Sequence, residues 1–170
     1  INIDLHPEVP NRKLKSGLRA VSAEDLRWRR CNIKSTALLG NVLHFQESYS
    51  AQKDETIMYN ANGELTEASI SNVFIVKNGA VATPILDNQI LPGISRHIVV
   101  DSLRIDGSIP VEELVVTMNE VRQADEIWIT NSSKHIGPVI ELDGEAVGDG
   151  LVGPVWEKAM TIYESVKYDY

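Results

Sequence analysis

The chain has 170 residues, which is enough for one sizeable hydrophobic core and too few to promise two. It carries 24 Asp and Glu against 16 Lys and Arg, a formal net charge of -8. This balance argues against a nucleic-acid or anionic-membrane binder, because neutralising phosphates requires clustered Lys and Arg. The one basic run, Arg27-Trp28-Arg29-Arg30, is too short to line a groove.

The hydropathy pattern and the cysteine content indicate where the protein is located. No apolar run approaches the length of a membrane span, and we expect no signal peptide at the start of the chain. The single cysteine, Cys31, excludes an internal disulfide framework and is typical of a reducing compartment. We therefore expect a cytoplasmic protein.

The first third of the chain predicts a lead-in segment and a helix. Residues 1–16 contain His6-Pro7 and Val9-Pro10 and are interpreted as extended, whereas residues 18–30 predict no definite element. A helix is expected to begin near Ser35 or Thr36, since both are good capping residues. Its apolar residues recur at spacings near three and four: Ala37, Leu38, Leu39, Val42, Leu43 and Phe45.

The rest of the chain alternates between short strands and helices without βαβ regularity. The predicted strands are residues 56–59, a segment around Leu65 after the Asn62-Gly63 turn, 71–76, 80–82 after the Asn78-Gly79 turn, 111–116, 126–130 and a hairpin over 139–147. The predicted helices are residues 94–103, 117–124 and 154–167. This order favours a mixed α/β domain with a partly barrel-like sheet and flanking helices, rather than a doubly wound one.

One glycine motif is a decoy. Residues 148–153 match the dinucleotide pattern G-x-G-x-x-G, which must lie between a strand and a helix and be followed by a further strand and an acid. Here Pro154 follows directly and only one helix remains. We interpret the segment as a glycine-rich turn and reject a nucleotide site.

Two segments offer a lysine and a carboxylate for chemistry. Lys34 follows an apolar residue just before the predicted helix, and burial would give it the neutral amine that Schiff-base formation requires. Glu67 heads a run of small polar residues leading into an apolar strand, where it could pair with a buried cation. Taken alone, each is more often a solvated surface residue.

Two further segments could bind an anion. Gly93 permits close backbone approach, and the amides of Ile94 and Ser95 would open a helix whose N-terminus attracts negative charge. The polar run 130–133 ends a predicted strand, although capping is a common use of such residues. The residues alone therefore indicate an α/β domain with candidate phosphate-binding loops.

All four segments occur in the order and approximate spacing of one known family. The run from Glu24 to Ser35, Glu-Asp-Leu-Arg-Trp-Arg-Arg-Cys-Asn-Ile-Lys-Ser, resembles the stretch around the cofactor lysine of D-amino-acid aminotransferases. Residues 38–43, 67–74, 91–96 and 130–139 resemble later blocks of the same class IV (fold type IV) pyridoxal-phosphate aminotransferases. The resemblance extends from about Pro10 to the C-terminus and implies that residues 17–170 form the large, C-terminal, cofactor-binding domain.

The resemblance implies a role for each matching residue. It makes Lys34 the Schiff-base lysine and catalytic proton carrier, and Glu67 the partner of the pyridine nitrogen of pyridoxal 5'-phosphate. The remaining implied contacts are Leu91 on a ring face; Gly93, Ile94, Ser95, Asn131 and Ser132 around the phosphate; and Ser133 on the substrate side. No metal is implied. The implied substrates are an amino acid, such as D-alanine, and a 2-oxo acid, and the implied assembly is a homodimer.

The sequence departs from the family pattern at a few positions. Asn131 stands where Ser or Gly is frequent, and His135 where an acid is usual, so their roles stay open. Leu39 replaces a tyrosine of the branched-chain enzymes, which favours the D-amino-acid branch. A branched-chain aminotransferase, an aminodeoxychorismate lyase and a domain that has lost its cofactor remain alternatives. The family's smaller N-terminal domain, which supplies most carboxylate contacts, is expected to be absent from this chain.

Overall fold

The structure, a computed structural model, describes residues 14–169. The extended segment expected over residues 1–16 lies almost wholly outside the described residues. The strands are β1 (Leu18–Glu24), β2 (Glu55–Tyr59), β3 (Leu65–Ala68), β4 (Asn72–Lys77), β5 (Ala80–Pro84), β6 (Val111–Leu114), β7 (Glu126–Asn131), β8 (His135–Leu142) and β9 (Glu145–Ala146). The helices are α1 (Leu39–Ser50), α2 (Ile94–Asp106), α3 (Met118–Arg122) and α4 (Pro154–Val166).

The strands form one mixed sheet in the order β3-β2-β1-β8-β7-β4-β5-β6, with β9 paired to β8. The pairs β1–β2, β1–β8 and β5–β6 are parallel, and the other pairs are antiparallel. The sheet curls into a half-barrel, which confirms the predicted mixed α/β class. Strand β1 gave no sequence signal, because its parallel partners at Glu55 and Val139 are remote in the chain.

Alternation along the central strands creates a core on each face of the sheet. In β7, Trp128 packs with the neighbouring Phe74 on one face, whereas Ile127 and Ile129 belong to the other cluster. Helices α2 and α4 cover the Trp128 face and contribute residues such as Leu103 to it. Period-two burial on both faces fixes the strand register, since a shift of one residue would exchange the two cores.

The turns and helix ends largely follow the local sequence. Asn78 and Gly79 both adopt positive φ, 51° and 78°, as the tight β4–β5 hairpin requires. Helix α2 ends at Gly107, which takes the left-handed conformation. Helix α3 begins with a reciprocal capping box between Thr117 and Glu120.

Helix α1 differs from its prediction in both start and orientation. It begins at Leu39, because the Ser35 hydroxyl accepts a hydrogen bond from the amide of Ala37 and forms a local turn instead of a cap. Its two buried side chains are polar, His44 and Ser48. The apolar stripe instead faces outward: Leu38, Leu39, Val42, Leu43 and Tyr49 are exposed.

The glycine-rich segment is a turn, as expected. Gly148 and Gly150 have positive φ, and Gly153 precedes helix α4. Glu126 accepts hydrogen bonds from the amides of Val155 and Trp156, at 2.9 and 2.8 Å. The first turn of this helix is therefore already occupied by a carboxylate, and a nucleotide phosphate has no place there.

Candidate active site

Glu67 is the centre of a buried polar cluster at the end of β3. Its side chain is only 6% exposed. The Oε1 atom lies 2.6 Å from Nη1 of Arg27, and Oε2 accepts from the amide of Leu91 at 3.0 Å. Burial raises the pKa of Glu67 to about 7, against the lowering effect of the Arg27 charge and hydrogen bond.

Asn72 joins this carboxylate to the segment that precedes α2. Its Nδ2 donates to Oε2 of Glu67 at 3.2 Å and to the carbonyl of Leu91 at 2.8 Å. Its Oδ1 occupies the position that a Cβ atom on Gly93 would need, so only glycine fits there. The structure thus brings Glu67, Leu91 and Gly93 into one connected group.

Helix α2 begins beside this group with an open N-terminus. Gly93 is the N-cap residue and provides no side-chain hydrogen bond to the first turn. Ser95 is buried, whereas Ile94 is exposed. Amides of a first helical turn without a capping side chain favour an anion.

The turn after β7 lies next to the start of β4. Asn131 donates to the Ser71 hydroxyl at 2.9 Å, and its Oδ1 accepts from the amides of Ser133 and Lys134. Its side chain therefore shapes the turn, whereas the side chains of Ser132 and Ser133 are exposed. Within residues 14–169, the buried Thr130 hydroxyl, paired in register with Asn72, has no hydrogen-bond partner.

Lys34 lies in the loop between the turn at Cys31 and helix α1. Both ends of this loop are anchored near segments that contribute to the cluster: the Cys31 amide donates to the carbonyl of Asn88, and the Asn41 side chain donates to the carbonyl of Ser69. Lys34 itself is exposed, as in the solvated alternative, and not buried as Schiff-base chemistry would favour. The loop therefore carries a solvent-accessible amine between two anchored ends.

Sequence analysis missed two charged residues at the cluster, Arg27 and Asp25. Arg27 belongs to the basic run that was set aside as too short to line a groove, yet its side chain is 3% exposed. It forms a bidentate pair with Asp25, at 2.9 Å from Nε and 2.7 Å from Nη2. The presence of Asp25 two residues before Arg27 was the signal in the sequence that could have indicated this pair.

A second buried carboxylate was also missed. Glu55 is fully buried and accepts hydrogen bonds from the hydroxyls of Ser69 and Ser71. The ammonium of Lys134 lies 4.0 Å away. Glu55 thus holds Ser69 and Ser71, which follow β3, in place. The sequence of its own strand, β2, did not indicate that this carboxylate is buried.

No helix within residues 14–169 has the length and apolar character to cross a membrane. Nor does this part of the chain contain a group of three or more His, Cys, Asp or Glu side chains able to hold a metal ion.

Comparison with known proteins identifies the family. The profile of amino-transferase class IV matches residues 2–142, which is most of the chain. The chain therefore belongs to the class IV aminotransferase family, as the sequence resemblance predicted.

Individual relatives agree with this assignment. The chain is 40% identical over 150 residues to a D-alanine aminotransferase of Listeria monocytogenes, covering 87% of this chain and 51% of the relative. It is 42% identical over 147 residues to a D-alanine aminotransferase of Staphylococcus haemolyticus, covering 86% and 51%. The chain thus spans about half the length of these relatives.

Solved structures give the same fold. The branched-chain amino acid aminotransferase of Thermobaculum terrenum, in its PLP form, superposes with a TM-score of 0.86 at 27% identity over 96% of this chain and 55% of that one. A putative branched-chain amino acid aminotransferase of Thermotoga maritima superposes with a TM-score of 0.80 at 33% identity over 90% and 56%.

Proposed function

We propose that the protein is a pyridoxal-phosphate-dependent aminotransferase that transfers an amino group from a D-amino acid, such as D-alanine, to a 2-oxo acid. One observation carries the proposal: a buried carboxylate, Glu67, is connected through Leu91 and Asn72 to an uncapped helix N-terminus at Gly93. This arrangement suits a flat ligand that is cationic at one edge and anionic at the other.

The residues present fit pyridoxal phosphate. The carboxylate of Glu67 matches a protonated ring nitrogen, and the open first turn of α2 matches a phosphate. Beside the start of β4, the buried Thr130 hydroxyl is a further polar atom without a hydrogen-bond partner within residues 14–169. When bound, this cofactor withdraws electrons from the substrate and so acidifies its α-carbon.

Each residue has a defined task in the proposed site. The Lys34 amine would hold the cofactor covalently and would carry a proton at the substrate α-carbon. Glu67 would keep the ring nitrogen protonated, and Leu91 would pack against the ring. The phosphate would be bound by the backbone at Gly93, Ile94 and Ser95, by the Ser95 hydroxyl, and by the turn containing Asn131 and Ser132, with Ser133 towards the substrate.

Two of these proposed tasks follow from the local contacts and exposure of the residues. Because both ends of the Asn131 side chain are engaged within the protein, we assign its phosphate contact to the turn that it shapes. Because Lys34 is exposed, its amine is open to an approaching aldehyde group.

The choice of a D-amino acid is supported by sequence. The relatives at 40 and 42% identity are named D-alanine aminotransferases, and Leu39 replaces the tyrosine of the branched-chain branch. The branched-chain enzymes are similar in fold at lower identity. An assay with D-alanine or L-leucine as donor and 2-oxoglutarate as acceptor separates the two. Faster transfer from L-leucine would contradict the D-amino-acid proposal.

We further propose a cytoplasmic homodimer that uses the apolar face of α1, defined by Leu38, Leu39, Val42, Leu43 and Tyr49. These side chains are exposed while the helix directs His44 and Ser48 inwards. A helix with its apolar side outward is stabilised by a partner surface that removes this area from water. The face immediately follows the Lys34 loop, so a second copy there would enclose the proposed site.

The activity itself is tested by mixing the protein with pyridoxal phosphate and recording its visible absorbance. We expect an absorbance band that disappears on adding D-alanine and returns with a 2-oxo acid. Pyruvate release from an aminodeoxychorismate substrate would identify the lyase of the same fold instead. A colourless protein with no thermal shift would indicate a domain that binds no cofactor.

A further inference from the structure

Arg27 lies between two buried acids and contacts both. Its Nη1 is 2.6 Å from Glu67, and its Nη2 is 2.7 Å from Asp25, all three side chains being less than a tenth exposed. Nη2 also donates to the carbonyl of Gln89 at 3.3 Å. This one guanidinium therefore fixes the position of Glu67 relative to the segment 87–91.

The two acidic partners of Arg27, Asp25 and Glu67, are not equivalent. Asp25 receives a bidentate pair from Arg27 and a hydrogen bond from Thr66 at 2.9 Å. Burial acts to raise the pKa of Asp25, but its bonds with Arg27 and Thr66 lower it below the ordinary value. Glu67 receives a single guanidinium contact and is held on its other oxygen by neutral donors. Burial raises the pKa of Glu67 to about 7, and its single guanidinium contact opposes this only in part, so at neutral pH Glu67 is close to the balance between its two protonation states.

We propose that Arg27 is a positioning residue that keeps the Glu67 carboxylate ionised and directed at the ring nitrogen of the cofactor, while Asp25 anchors Arg27. The proposal rests on the proposed function, because it takes Glu67 as the ring partner. Without Arg27, Glu67 is a buried carboxyl with only neutral donors and takes up a proton. A protonated Glu67 cannot balance a cationic ring.

The charged groups around Glu67 determine the expected signs. Arg27 attracts the ionised form of Glu67, whereas Asp25 repels it. The charges of Arg27, Asp25 and Glu67 also act on the buried thiol of Cys31, as does that of Asp87 on the neighbouring loop. Removal of Arg27 and removal of Asp25 must therefore move the titration of Glu67 in opposite directions.

The test is carbon NMR of the cofactor-free protein labelled with 13C-glutamate, in which Glu67→Gln identifies the Glu67 resonance. We expect Arg27→Met to move the titration midpoint of Glu67 upward by about 1 to 3 pH units. Asp25→Asn is expected to move it downward, and Arg27→Lys, which keeps the charge, to leave it closer to the unmodified protein. A merely structural role would not give opposite signs.

Several results would overturn the proposal: an unchanged or lower midpoint in Arg27→Met, or a higher one in Asp25→Asn. If Arg27→Met does not fold, the Asp25→Asn and Arg27→Lys titrations decide the matter. The proposed function fails separately, if borohydride traps no pyridoxal phosphate on Lys34 in the unmodified protein. Trapping on Lys34 together with an Arg27-independent titration would reject only the positioning role.

Discussion

The amide oxygen of Asn72 fills the space that a side chain on Gly93 would need. Asn72 is itself buried and holds both Glu67 and Leu91 through its amide nitrogen. The contact thus links a requirement for glycine at the start of α2 to the carboxylate cluster of the proposed active site.

Gly93→Ala should therefore weaken both folding and cofactor binding. The added methyl group must displace Asn72, and we expect the free energy of unfolding to fall by about 1 to 3 kcal/mol. Urea denaturation measures the stability and fluorescence titration the affinity for pyridoxal phosphate. In an Asn72→Ala background the same substitution should cost less, because the obstructing oxygen is gone. An equal cost in both backgrounds would contradict the proposed contact.

Removal of the Glu126 carboxylate should destabilise helix α4. Glu126 accepts from the amides of Val155 and Trp156 and from Nε1 of Trp128. We expect Glu126→Ala to lower the free energy of unfolding by about 2 to 4 kcal/mol, since it leaves buried donors unpaired. Glu157→Ala, on the exposed side of the same first turn, is the control. Equal denaturation midpoints for the two variants would exclude the capping role.

The buried state of Glu67 gives a pH dependence of known sign. Its pKa is about 7 in the fold against an ordinary value of 4.5, so the folded protein binds a proton that the unfolded chain has lost. Stability from this group must therefore fall as the pH rises from about 4.5 to about 7, by at most on the order of 3 kcal/mol. Urea denaturation of the unmodified protein and of Glu67→Gln at several pH values isolates the contribution of Glu67 to the free energy of unfolding. A Glu67-dependent fall in stability as the pH decreases would instead show that Glu67 stays ionised in the folded protein.

Charge placed on the exposed face of α1 should prevent dimer formation. Leu43 is 60% exposed, so Leu43→Glu leaves the core of the subunit intact while introducing a charge in the proposed interface. We expect sedimentation to show a dimer for the unmodified protein and a folded monomer for the variant. Leu151→Glu, at another exposed leucine, should remain dimeric. A monomeric unmodified protein would reject this face as the interface.

The sequence predicted most strands and helices where local signals were strong. The Asn78-Gly79 turn, the breaker before Ile94 and Pro154 each mark an element that the structure contains. Strand β1 could not be recognised because parallel pairing depends on residues far along the chain. The start of α1 was misplaced because a serine can cap a helix or close a turn, and Ser35 closes a turn.

The site was only partly predictable. Glu67, Leu91 and Gly93 are in contact through Asn72, which the sequence did not identify as a functional residue. Arg27 is buried against Glu67, 40 residues later in the chain, so the local sequence gave no sign of its burial. The position of such a cation emerges only when the fold brings its acids together.

The most direct test of the central claim is to identify the lysine to which pyridoxal phosphate becomes attached. The protein is incubated with pyridoxal phosphate, reduced with borohydride, digested and analysed by mass spectrometry. We expect the added mass on the peptide containing Lys34, its loss in Lys34→Ala, and its retention in Lys158→Ala, a control at another exposed lysine. Equal labelling of Lys34→Ala, or labelling spread over several surface lysines, would contradict the assignment.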